Sequence, residues 1–170
     1  MVATSFMSGD RLMRNHSKNT LIMLGELSGR QIDEVLSNNI VGHIGCHDME
    51  ETYVVPITYV YDGDSIIGHS AVGKKISMMR SNPRVCFQVN EMADMGNWKS
   101  VIAWGLYEEL KGEEGTSAIT KFVKKLAPLM PSETSRPTHG FNLEKFNPQE
   151  MKSIIFRIRL GKKTGRYEKR

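Results

Sequence analysis

Between Ile40 and Leu110 the chain offers one short strand-like run after another, parted by turns and by a single helix-sized break. Ile40–Cys46 is followed by Thr52–Tyr61, rich in the β-branched and aromatic residues that pack well on a pleated surface. Asp62-Gly63-Asp64 is a turn signal, so Tyr53–Tyr61 and Ser65–His69 are expected to pair as a hairpin. Val85, Phe87 and Val89 alternate along a further strand, and after a Met92–Asn97 loop Trp98–Leu110 forms a long one. Strands joined by tight turns pair antiparallel, whereas a doubly wound parallel sheet needs a helix after nearly every strand. With a last strand at Ser153–Leu160, six strands result, enough to curl shut into a barrel. The expected class is mainly β with flanking helices, around a six-stranded antiparallel barrel.

Three helices flank that sheet. Ser28 opens the first, with Gln31 as its capping-box partner; Ile32, Val35 and Leu36 share a face, and Asn38-Asn39 end it. The second is short, Gly73–Asn82, stopped by Asn82-Pro83. The third spans about Glu113–Leu126, with Ile119, Phe122, Val123 and Leu126 at helical spacing. Residues 1–27 read as an irregular arm with a short helix near Leu12, and residues 128–148 as loop. The division is therefore an arm at 1–27, one folded domain at 28–161, and a solvated basic tail at 162–170, where much of the net charge of +4 lies.

Composition excludes several classes. With 39% hydrophobic and 25% charged residues, the 170-residue chain suits one globular domain rather than a disordered one. The basic tail lacks the interleaved aromatics of a nucleic-acid-binding face, having only Tyr167. No apolar run approaches membrane-spanning or signal-peptide length. Cys46 and Cys86 sit in apolar runs as reduced, buried thiols, and the cytoplasm is the default location. His43, Cys46 and His47 suggest a metal cluster at first sight. On a strand, however, the histidines point one way and the cysteine the other, so no metal site is expected, nor a Cys46–His47 dyad.

The chemistry concentrates at His69-Ser70-Ala71-Val72-Gly73-Lys74-Lys75, where a strand end runs into a helix start. A glycine permits close backbone approach, a helix N-terminus offers free N–H groups, and lysines add charge; a phosphate uses all three. Neither the Walker pattern nor the dinucleotide glycine fingerprint is present. Pro56 interrupts the preceding strand, which marks an edge, a bulge, or a place where a flat ring meets the backbone. Trp98-Lys99-Ser100-Val101 sets an aromatic, a cation and a hydroxyl at the start of the long strand.

Val54-Val55-Pro56-Ile57-Thr58-Tyr59, Ile66 through Lys75, Asn82 through Phe87, and Ser100-Val101-Ile102-Ala103-Trp104-Gly105 form an ordered set. On these residues the chain resembles the pyridoxamine 5'-phosphate oxidase-like, FMN-binding split-barrel superfamily, and within it the branch of nitroimidazole-resistance-type proteins. The likeness spans roughly residues 28–127. It implies a split barrel, an FMN cofactor, and a homodimer with the flavin at its interface. By the same resemblance, His69 and Ser70, with Ala71 following, meet the phosphate and ribityl region, and Lys74 and Lys75 neutralise the phosphate. Val55, Pro56, Ile57, Thr58 and Tyr59 lay their backbone against the flavin ring. Lys99, Ser100 and Val101 supply the long-strand position, with Trp98 acting across the two-fold axis.

The chain departs from true pyridoxamine-phosphate oxidases at its end, Phe156-Arg157-Ile158-Arg159-Leu160-Gly161, which lacks their Arg-, His- and Trp-bearing segment. The expectation is therefore a reductase or oxidase of a small electron acceptor. The alternative is a flavin-binding or storage module without turnover of its own. His69 is the candidate for a catalytic proton donor. His139 reads as a loop histidine, and the methionines as core filler.

Overall fold

The computed structural model describes residues 11–14, 21–129 and 153–170. His139 lies outside them, as does the expected loop at 128–148 beyond residue 129. Nine strands occur among the described residues, not six, and every ladder is antiparallel. They are β1 (Arg11–Arg14), β2 (Leu21–Glu26), β3 (Val41–His47), β4 (Thr52–Thr58), β5 (Val60–Tyr61), β6 (Ser65–Ser70), β7 (Arg84–Asp94), β8 (Asn97–Glu109) and β9 (Ile154–Lys169). The main sheet runs β1-β2-β9-β8-β7-β3-β4, and β6 joins it through β9 while also pairing with β5. Among the described residues no ladder ties β4 to β5 or β6, so the sheet stays open at a split instead of closing.

Three sequence expectations change. The arm at 1–27 contains strands β1 and β2 and no helix near Leu12. The tail at 162–170 is not solvated chain: β9 continues to Lys169, with Lys162–Glu168 paired to Trp98–Trp104 of β8 and Arg166–Lys169 paired to β2. The predicted hairpin shrinks to Val60↔Ile67 and Tyr61↔Ile66, while β4 pairs with β3 instead. The cause lies at Tyr59. Its buried ring meets Phe87 edge-on at 4.8 Å, its hydroxyl donates to the Leu36 carbonyl at 2.8 Å, and its N–H donates to Ile40 O. Anchored on three sides, the chain leaves one strand pairing for another at this residue. Pro56 is tolerated because β4 is an edge strand, paired on one side only. The Met92–Asn97 loop is likewise tighter than expected, since β7 runs to Asp94 and β8 starts at Asn97.

The helices behave as their sequences dictate. In α1 (Gly29–Asn38) the Ser28 hydroxyl accepts from Gln31 N–H while the Gln31 side chain accepts from Ser28 N–H, a complete capping box. Its Ile32, Val35 and Leu36 are buried against the sheet, in one core with Ile44, Phe87, Phe156 and the inner face of α2 (Lys74–Ser81). A second, smaller core packs α3 (Gly112–Leu126) over β5 and β6 through Ile119, Phe122, Val60 and Ile67. The strand β6 is therefore covered on both faces. No helix among the described residues is long and apolar enough to cross a membrane.

A chain ending at Gly161 is expected to lose the fold, because it removes the second half of β9 from between β8 and β2. Thermal denaturation checks this. A genuinely solvated tail would come off with a change in Tm of no more than about 2 °C.

Candidate functional site

Strand β6 ends in Ser70, buried against the partner residue Ile154 of β9, and three exposed residues, Ala71, Val72 and Gly73, carry the chain into α2. Gly73 is the N-cap of α2, and no side chain among the described residues caps that helix start. Its extended backbone requires no glycine, and a Cβ built on it would meet nothing within 4 Å. Among the described residues nothing thus calls for a glycine here, and the space where a Cβ of residue 73 would sit, at the start of the helix, is open. The Ser70 hydroxyl donates to Ala71 O at 2.7 Å.

The two lysines differ. Lys74 is half exposed, and its ammonium reaches both carboxylate oxygens of Glu51, at 2.8 and 2.7 Å, and lies 5.1 Å from the Tyr53 ring centre. Lys75 is half-buried, and its ammonium makes no hydrogen bond or ion pair among the described residues. Burial pushes its pKa down, opposed only by the nearby Cys46 thiol. A partly desolvated cation without a counter-ion, beside an uncapped helix start, fits an anion such as a phosphate.

His69 and Ser70 are adjacent on β6 and point to opposite faces. The imidazole turns to the α3 side, edge-on to Phe122 with ring centres 4.9 Å apart. On β4, Val54, Pro56 and Thr58 face outward and are exposed. Val55 is half-buried, and Ile57 and Tyr59 are core residues, so these last two can offer a ligand only their backbone.

The remaining predicted residues lie elsewhere. Ser100 registers with Arg166, twelve residues further along β9 than Ile154, the partner of Ser70. That is about 40 Å of extended strand. Trp98 donates its indole N–H to Glu168, Lys99 pairs with Glu91 at 3.1 Å, and Val101 is wholly buried. The chain therefore brings together Ser70–Lys75 with Tyr53 and Glu51 of the β3–β4 hairpin, but not Trp98–Ser100.

Sequence reasoning missed an apolar outer face on the same sheet. Trp104 pairs with Cys86, Cys86's strand neighbour is Gly45, and Gly45 pairs with Val54, which forms a row across four strands. Trp104, Leu106 and Val54 are 40%, 49% and 63% exposed, around a groove of about 710 Å³. The period-2 pattern of β8 could have shown it, since Ile102 and Trp104 alternate with the buried Val101 and Ala103.

A family profile described as pyridoxamine 5'-phosphate oxidase matches residues 28–164. The chain belongs to that family. A FAD-binding protein of Mesorhizobium loti is 30% identical in its solved structure, with a TM-score of 0.69 over 88% of this chain and 99% of that one. A candidate 5-nitroimidazole antibiotic resistance protein of Bacteroides thetaiotaomicron is 17% identical, with a TM-score of 0.65 over 92% and 96% of the two chains. At that identity the likeness is one of fold. An uncharacterized protein of Rhizobium meliloti (strain 1021) is 36% identical over 89 residues, 52% of this chain and 59% of that protein. The chain thus spans about three fifths of that relative. The open antiparallel sheet is the split-barrel fold that these relatives share.

Burial, and then the charge of Lys75, lower the pKa of His69 below the ordinary 6.5. The unfolded chain then binds a proton at this position more readily than the folded one. Stability is accordingly lost as pH falls from the unfolded value through the depressed folded one. Urea denaturation from about pH 7 to pH 5 is expected to show a shallower loss in His69→Gln than in the parent; equal slopes would refute the assignment.

Proposed function

We propose that this protein binds a flavin, specifically FMN, with the phosphate at Ser70–Lys75, and that it is a flavin-dependent oxidoreductase of the cytoplasm acting on a small electron acceptor. The observation that carries the reading is the half-buried Lys75, without an ion-pair partner among the described residues, beside the start of α2, which no described side chain caps. Family membership and a 30% identical FAD-binding relative support it. When bound, the flavin supplies hydride or electron transfer. The chain supplies binding and electrostatics. Lys75 and the α2 N–H groups would hold the phosphate, the Ser70 hydroxyl, which donates to Ala71 O in this structure, would be a further donor beside it, and the outer edge of β4 would offer backbone groups to a flat ring. The His69 imidazole lies on the opposite face of β6 from Ser70, edge-on to Phe122, so a proton-donor role for it is not part of the proposal, and neither is oxidation of pyridoxamine phosphate.

The site is completed by a second copy of the chain. Trp98, Lys99 and Ser100 lie at the far end of the sheet from Ser70, and the exposed Trp104, Leu106 and Val54 face is an apolar patch of the kind that marks interfaces. A homodimer through that face buries the patch and provides the missing residues in trans.

The purified protein is expected to be yellow and to release FMN on denaturation, identified by mass. Lys74→Ala with Lys75→Ala should weaken FMN binding by more than about tenfold, the loss of at least one charge-assisted contact. A colourless protein without affinity for FMN or FAD would overturn the reading. Oxidation of NAD(P)H with nitroaromatic or quinone acceptors separates an oxidoreductase from a storage module.

Trp104→Glu places a charge in the centre of the apolar face. It should convert a dimer to a monomer in light scattering and lower flavin affinity together with it. A monomeric parent would remove the second copy from the proposal.

A further inference from the structure

The β3–β4 hairpin turns at Asp48–Glu51, immediately beside the start of α2. Asp48 fixes that turn: its carboxylate accepts from the N–H groups of Glu50 and Glu51, and its own N–H donates to Glu51 O at 3.1 Å. Glu51 is thereby held by backbone geometry rather than left to wander, and its carboxylate takes the Lys74 ammonium on both oxygens. Tyr53, two residues on, places its ring against the same ammonium. Lys75, rotated about 100° round the helix, escapes this arrangement and has no hydrogen bond or ion pair among the described residues.

Resting on the reading of Ser70–Lys75 as a flavin phosphate site, we infer that Glu51 is a built-in competitor of the phosphate: it sequesters Lys74, leaves Lys75 as the principal phosphate ligand, and holds cofactor affinity below what two free lysines would give. A phosphate reaching Lys74 must either displace a carboxylate or share the ammonium with one, and like charges at that spacing repel. Glu51 is therefore an affinity-setting residue that never needs to touch the flavin ring. Because both side chains of the pair are about half exposed, the competition is mild. It corresponds to a factor of about two to five in affinity.

The test titrates the flavin-stripped full chain with FMN and, separately, with riboflavin, which carries the same ring and no phosphate, following flavin fluorescence. Glu51→Gln should tighten FMN binding by about two- to fivefold and leave riboflavin unchanged. Glu50→Gln removes the same charge from the same turn without freeing Lys74, and should change neither. The gain should vanish in Glu51→Gln with Lys74→Ala, and Lys75→Ala alone should weaken FMN more than Lys74→Ala alone. Unchanged FMN affinity in Glu51→Gln, or an equal gain in Glu50→Gln, would overturn the competitor role while Lys75→Ala still weakens FMN. If neither lysine variant alters FMN binding, or if riboflavin binds the parent as tightly as FMN, the phosphate site itself is wrong, and the competitor with it.

Discussion

Everything in this fold hangs from the backbone pairing of β9. Along one edge it meets β8 nearly end to end; along the other it holds β6 with its first half and β2 with its second. A strand engaged on both edges satisfies its own polar backbone and fixes the register of three others. The two cores follow from this. Phe156 and Ile158 point into the larger one, while Ile155 points into the smaller one beneath α3. The division of the predicted site follows as well, because β6 and the lysines are tied to the start of β9 and Ser100 to its end.

The second half of β9 is strongly basic, and its charges are placed rather than merely tolerated. Lys163 donates to Asp33 of α1 at 2.6 Å and to the Tyr61 hydroxyl at 2.9 Å. Hydrogen bonds from Lys163 and Tyr61 hold the Asp33 carboxyl below its ordinary range. The network ties the first helix, the β5–β6 hairpin and the last strand together. Arg157 and Arg159 likewise share Glu108 across the β8–β9 ladder.

The parts of this arrangement that were legible in sequence are those in which one face is apolar and the other is not. Val85, Phe87 and Val89 gave β7, the Ser28–Gln31 box gave α1, and Ile119 with Phe122 gave α3, and all three elements are present. The second half of β9 was illegible because Lys162-Lys163-Thr164-Gly165-Arg166 has little strand propensity and no alternation. Its conformation is imposed by β8 and β2, which lie far away in sequence. Tyr59 misled for the opposite reason: it sits in an unbroken β-rich run, yet its hydroxyl and ring are claimed by α1 and β7. At the site, the sequence located the lysines and the glycine but not their inequality. That depends on Glu51, brought in by the turn of a different hairpin.

The position of β9 also decides when the molecule can fold. Leu24 pairs with Glu168, so the loop closed by that contact is nearly as long as the chain, and its entropy must be met before the ladder yields anything. Until residues near 169 have left the ribosome, β8 and β2 each present a bare hydrogen-bonding edge, and Gly165 is not yet there to receive Leu27. The helix α1 and the β7–β8 hairpin are local and can form early, but the sheet can be completed only after its last strand is synthesised. For that interval the nascent chain carries open strand edges. Slower synthesis lengthens this exposure, and a chaperone that shields strand edges shortens its consequences.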